Sequence, residues 1–242
     1  MPARATRRPR SSRPPLTRDA VIDAALAHLE DGGLGTLTMR ELGKRLRVEA
    51  MSLYRHVPGK DELLDAIVER LIDDMHDDPE VPDAPTDGWE DFLRRLAHGV
   101  RRVALAHPKA FPLVASRPPE APWLRPPLRS LAWVETFLAG LRAEGFDDRA
   151  AVDSYRAFTG FLLGNLLLEV SARGADIGPL DVMDGEDPDP PDDPSLAQMR
   201  RDFPVVASLR PLLRQDRSAE EFEIALEELI ERIAAIRSGA GA

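Results

Sequence analysis

The chain is 242 residues long and carries 32 Lys and Arg against 42 Asp and Glu, a formal net charge of −10, with no cysteine. That length suits one large domain or two modest ones around a real core, and the missing cysteine excludes disulfide frameworks, Cys-ligated zinc and cysteine nucleophiles. The acidic sum hides a segregated distribution: residues 1–60 hold 12 basic and 6 acidic side chains, net +6, leaving 32 − 12 = 20 basic and 42 − 6 = 36 acidic ones, net −16, for the rest.

Residues 1–16 contain Arg4, Arg7, Arg8, Arg10 and Arg13 and no acid. They read as a flexible basic arm that can lie along a phosphate backbone or reach a minor groove; no apolar stretch follows as a leader peptide requires. From Arg18 to Glu30, Ile22, Leu26 and Leu29 recur at helical spacing, with Thr17 as N-cap and Gly32-Gly33 as the stop. In "TLTMRELGKRL", Thr38 and Glu41 match the capping box, so a second helix starts at about Thr38 and ends near Arg47. A short third helix, about Glu49 to His56, stops at Pro58-Gly59. A fourth, with Leu64, Ile67, Val68, Leu71, Ile72 and Met75 on one stripe, runs to about residue 76, and Asp61 and Glu62 sit where its dipole favours negative charge.

After the Pro- and Asp-rich break "HDDPEVPDAPTDG" the pattern is helical again, over 89–106, 109–115, 127–144, 147–171, 196–213 and 218–236, with no alternating strand pattern. The stretch around 174–194 is acidic and Pro-rich and reads as a mobile loop. The longest apolar run, Phe158 to Leu168, is about half a membrane span, so no membrane partner is expected. The expected fold is all-α: an arm (1–16), a three-helix helix-turn-helix domain (17–62) whose linking helix continues to about 76, and a helical domain over 77–242.

Two short helices joined by a tight turn are the helix-turn-helix arrangement, whose second helix enters the DNA major groove. Arg40, Lys44, Arg45 and Arg47 offer cations for phosphates, Ser52, Tyr54 and His56 neutral donors, and Lys60 a cation beside the N–H groups opening the fourth helix.

"TMRELGKRLRVEAMSLYRHVPGKDELLDAIVERL" resembles the DNA-binding region of TetR-type, tetracycline-repressor-like, transcriptional regulators, over residues 17–76. The block L-Y-x-H-V-x-x-K, Leu53 to Lys60, is its most specific part. "GWEDFLRRL", "FLAGLRAEGF" and the helical tail are similar to the ligand-binding half of the tetracycline-repressor branch. The resemblance implies that Tyr54, His56 and Lys60 contact phosphates, that Thr38 and Arg40 contact DNA at the start of helix two, and that Ala50, Met51 and Ser52 lie where bases are read. Ala50 and Met51 offer only apolar contact, as to a thymine methyl, which leaves Arg40 and Ser52 as the polar readers. It further implies a cytoplasmic homodimer, palindromic double-stranded operator DNA, and a small-molecule ligand that releases it.

For that dimer, Phe222, Leu226, Leu229, Ile233 and Ile236 form a heptad-like seam, with Phe158, Leu162 and Leu166 on a second helix apolar over more than one face. By resemblance His76 matches a drug-contacting position, although a histidine at a helix end is also an ordinary cap. Phe92, Leu96, Val100, Phe111, Trp133, Phe137, Phe158 and Phe161, with Asn165, are candidates either for a ligand cavity or for plain core. Asn165 is the informative one, because an amide among leucines needs a partner. The branch's other polar drug contacts have no counterpart, since Leu96, Val100, Leu113 and Val114 stand there, so a tetracycline with its magnesium is not expected, nor any metal or cofactor. Five histidines without metal spacing, no nucleophile elbow, no phosphate loop and no paired carboxylates in an apolar setting argue against an enzyme. The residues therefore describe a ligand-responsive, sequence-specific DNA-binding regulator, a repressor with helix four as its lever. The alternatives are an activator of the same fold or a non-DNA helical interaction protein.

Overall fold

A computed structural model describes residues 15–118, 120–126, 130–177 and 196–239. Every regular element among them is helical. Most of the expected basic arm, residues 127–129 and most of the expected acidic loop lie outside the described residues.

α1 (Arg18–Gly32) opens with the Thr17 hydroxyl accepting the Ala20 N–H at 3.1 Å and closes at Gly33, whose φ of 77° suits glycine best. A 3-10 turn (Leu34–Thr36) leads to α2 (Met39–Leu46), α3 (Ala50–Leu53) and α4 (Lys60–His76). Val21, Ile22, Ala25 and Leu29 of α1 share one core with Leu42, Leu53, Val57, Leu63 and Ile67. α3 is shorter than expected: after Leu53 the chain tightens into a turn in which His56 and Val57 both donate to the Leu53 carbonyl.

The second body comprises α5 (Trp89–Ala106), α6 (Pro112–Ser116), α7 (Leu131–Ala143), α8 (Asp148–Ala172), α9 (Leu196–Asp202), α10 (Pro204–Leu213) and α11 (Ser218–Arg237). The single helix expected over 196–213 is split, because Pro204 disfavours the helical region for Phe203, whose φ, ψ are −137°, 63°. The core of this body includes Trp89 set edge-on to Phe146 and Phe137 packed on Tyr155 and Phe158. Across α5 and α8 the Arg101 guanidinium grips the Glu169 carboxylate with two bonds, 3.1 and 2.7 Å, and lies 4.9 Å over the Phe222 ring. α10 buries nothing, and Phe203, Val205, Leu209, Leu212 and Leu213 stay exposed.

The expected dimer seam is corrected in part. Phe158, Leu162, Leu166, Phe222, Leu226 and Ile233 are buried within one chain, in the core that α8 and α11 share, whereas Leu229 and Ile236, which also pack on that core, border a groove on the outer side of the two helices. At roughly 1.5–3 kcal/mol for each large apolar side chain buried, the contacts of the first six hold the protomer together. Heptad spacing reports an apolar seam and leaves open whether the helix it meets belongs to the same chain.

Candidate DNA-contacting surface and effector cavity

The turn between α2 and α3 is set by two residues. Gly43 lies so close to the next segment that a Cβ there would sit 3.0 Å from the Val48 carbonyl oxygen, so a larger residue would push the two helices apart by a few tenths of an ångström. Arg47 then takes the left-handed conformation (φ 55°), its N–H donating to Lys44 O and the following Val48 N–H to Gly43 O. With Leu53 and Val57 anchored at 0% and 2% exposure, the opposite side of α3 faces solvent: Met51 is 75% and Tyr54 43% exposed. Ala50, Ser52, His56 and Lys60 are half-buried around them, and Thr38 and Arg40 are exposed at the start of α2. The eight residues expected to meet DNA thus fall on the start of α2, on α3 with its following turn, and on the first residue of α4.

Two expected phosphate cations are engaged within the protein. Lys44 bonds the Glu41 carboxylate, which holds that carboxyl below its usual range, and Arg45 pairs with Asp31 at 2.6 Å. The capping box is therefore half formed: Thr38 accepts the Glu41 N–H at 3.1 Å, but Glu41 turns to Lys44 instead of returning to the cap. Arg55, exposed in the turn between Tyr54 and His56, is a cation the sequence reading passed over although it lies inside the block it singled out.

Above this domain a cavity of about 70 Å³ opens where five helices meet. α4 contributes Leu71, Ile72 and Met75, α5 Val100 and Val103, and the α6 region Phe111 and Val114. Ser130 and Trp133 at the start of α7 and Phe158, Thr159, Leu162 and Leu163 of α8 close it. Of the expected ligand residues, Val100, Phe111, Trp133 and Phe158 line it. Phe92, Leu96 and Phe137 are core, Phe92 lying where a Cβ on Gly140 would reach it at 2.6 Å. Phe161 packs on Phe222, 5.8 Å between centroids, and Asn165 is half-exposed beside the outward Gly164 and Leu168 of α8, so its amide meets no apolar trap. His76 lies 6.2 Å from the Trp133 ring, and its buried Nε2 has no hydrogen-bond partner. The α4 side chains Leu71, Ile72 and Met75, and Val103, Leu162 and Leu163, were missed because stripe residues that pack a core and those that border a void look identical in sequence.

α6 joins the cavity to the DNA-binding domain. Phe111 and Val114 face the cavity, while Ala110 and Leu113 enter the α1–α4 core. The Glu30 carboxylate of α1 accepts the Ala110 N–H at 3.0 Å and the Lys109 N–H at 3.3 Å. At the other end Arg117 donates to Asp65 at 2.7 Å and to Asp61 at 3.0 Å, both on α4. Burial opposes the Arg117 charge, yet the bonds from Asp65 and Asp61 carry its pKa above the usual value.

Residues 21–67 match the sequence profile of "Bacterial regulatory proteins, tetR family", and residues 81–237 that of "Tetracyclin repressor-like, C-terminal domain". An HTH-type transcriptional regulator of Saccharopolyspora erythraea is 31% identical over 165 residues, 68% of this chain and 66% of that protein. The class D tetracycline repressor of Escherichia coli is 34% identical over 153 residues, 63% of this chain and 66% of that protein. The matched stretch thus spans just under two thirds of the length of these relatives. Among solved structures, a possible TetR family regulator from Streptomyces coelicolor A3(2) superposes with a TM-score of 0.68 at 28% identity, covering 91% of this chain and 100% of that one. With one profile on the helix-turn-helix half and the other on the helical half, the chain belongs to the TetR family, whose members are transcriptional regulators and not enzymes.

Proposed function

We propose that the chain is a repressor that binds a palindromic operator as a homodimer and leaves it when a small molecule enters the cavity. The observation that carries the reading is the outward face of α3, with Met51, Tyr54, Ser52 and His56 presented beside Lys60, on a domain tied through α6 to a cavity. Phosphate contacts come from Tyr54, His56, Lys60 and Arg55, base contacts from Arg40 and Ser52, and Ala50 and Met51 give apolar contact only. The binding end is basic and the body acidic, so the body repels DNA everywhere except at the docking face.

The dimer is supported by what α8 and α11 leave outside: Ala157, Gly160, Phe161 and Ile236 with Asp153, Arg156, Glu228 and Arg232 border one groove. Acidic and basic residues side by side make such a face self-complementary across a twofold axis, as an isologous interface requires. The apolar residues left exposed on α10 add a second unpartnered surface.

The test is selection of DNA fragments on the immobilised protein, followed by gel shift at rising salt. Expected is an enriched inverted repeat whose affinity falls steeply with salt, as phosphate neutralisation demands. No retained DNA at low salt would leave the helical interaction-protein reading in its place, and a repeat lying upstream of a promoter would favour an activator.

A further inference from the structure

If the cavity is the effector site of the proposed repressor, its walls dictate the chemistry of the effector. Its described lining residues are all apolar except Ser130 and Thr159: Ser130 Oγ accepts the Trp133 backbone N–H at 3.1 Å, and Thr159 is hydrogen-bonded to the Tyr155 phenol. Among the described residues no carboxylate, amine or guanidinium lines it, and no group of His, Asp or Glu is placed to hold a metal ion. An ion entering such a space loses its hydration and meets no counter-charge, and a magnesium ion keeps an octahedron of oxygen ligands that these walls do not supply. Three aromatic rings, Phe111, Trp133 and Phe158, instead offer faces and edges to a flat ring system.

We propose that the effector is an uncharged, metal-free aromatic molecule, mainly hydrocarbon. The proposal rests on the regulatory reading and separates this chain from any relative whose ligand enters as a metal chelate. At about 70 Å³, against roughly 10–15 Å³ needed for one water, the cavity is preformed yet small. It is less than half the roughly 150 Å³ of a cavity that takes up one benzene, so a ligand of two or three rings enters only by pushing wall residues such as Phe111 and Val114 outward.

Two fluorescent probes with the same rings test this on the full chain: neutral N-phenyl-1-naphthylamine and its sulfonated analogue 8-anilino-1-naphthalenesulfonate. The cavity-dependent part of binding is the part lost in Val100→Phe, which fills the space from α5. Leu163→Phe, filling it from α8, serves the same purpose should the first fail to fold by circular dichroism. Expected is cavity-dependent binding of the neutral probe at least roughly tenfold tighter than that of the sulfonate, unchanged when EDTA replaces magnesium. Equal binding of the sulfonate, dependence on magnesium, or neutral-probe binding that neither filled variant weakens would overturn the proposal. DNA affinity measured on the same unliganded samples keeps the two readings apart: DNA retained without neutral-probe binding sinks the effector class alone, whereas DNA lost sinks the repressor.

Discussion

α3 is a single turn, so each of its side chains has one assignment only: Leu53 goes inward, and Met51 and Tyr54 have nowhere to go but out. Base and phosphate contacts should therefore separate cleanly by residue. Lys60→Ala is expected to weaken operator and random DNA alike and to lower the slope of log affinity against log salt by about 1. Ser52→Ala or Arg40→Ala is expected to narrow the gap between operator and random DNA by about 1–3 kcal/mol while leaving that slope in place. Fluorescence anisotropy at several salt concentrations reads both, and a Lys60→Ala protein with unaltered affinity would remove the assignment to phosphate. The Arg101–Glu169 pair makes the second residue-scale case, because the Glu169 side chain is 2% exposed and that of Arg101 16%. Arg101→Met leaves the carboxylate buried with only the more distant Arg173 at 3.5 Å, and should cost about 3–5 kcal/mol in a denaturant melt. Adding Glu169→Leu should restore most of the loss, since an apolar pair of similar volume needs no counter-charge; a double variant no better than the single would mean the cost lies in packing alone.

At the scale of elements, α6 is held at both ends by the DNA-binding domain while its middle forms a cavity wall. Helix four was the expected lever, and the clamps attach a second element to it: α6, which carries Phe111 and Val114, is bonded to α1 through Glu30 and to α4 through Arg117. Arg117→Ala should raise amide hydrogen exchange over 109–116 and lower stability by about 1–3 kcal/mol, the worth of bonds between charged groups at a largely buried site. Exchange left unchanged over that segment would show that apolar packing of Ala110 and Leu113 suffices to hold it. The sequence made the elements legible where the signal is local. Thr17 and Thr38 cap, Gly33 stops, and apolar side chains repeat at helical spacing because each helix buries one stripe. It misled where the signal is relational: the α11 seam specifies burial against α8 in the same chain, Lys44 and Arg45 find carboxylates that pattern alone does not pair with them, and the cavity depends on how five stripes fail to close. Pro204, by contrast, announced the break between α9 and α10, and the apolar residues around it hid the signal.

For the whole molecule the buried seam changes how dimerisation has to be tested. Cutting the chain before Asp216 removes Phe222, Leu226 and Ile233 from the protomer's own core, so the fragment should unfold rather than report on an interface. A surface substitution avoids this. A Cβ on Gly160 or Gly164, on the outward side of α8, would meet nothing within 4 Å. Replacing a helical glycine by arginine gains up to about 1 kcal/mol of helix propensity in the isolated chain, whereas the same side chain obstructs a partner packed closely on that face. Gly164→Arg should accordingly keep or raise the melting temperature of the protomer while shifting sedimentation from dimer to monomer. With the two recognition helices no longer held about 34–36 Å apart, affinity for a two-half-site operator should fall by at least roughly tenfold, while binding to a single half-site stays near its original value. The opposite signs of the two effects are what a purely structural role for Gly164 cannot produce, and a variant that remains dimeric would move the interface to the exposed apolar side of α10.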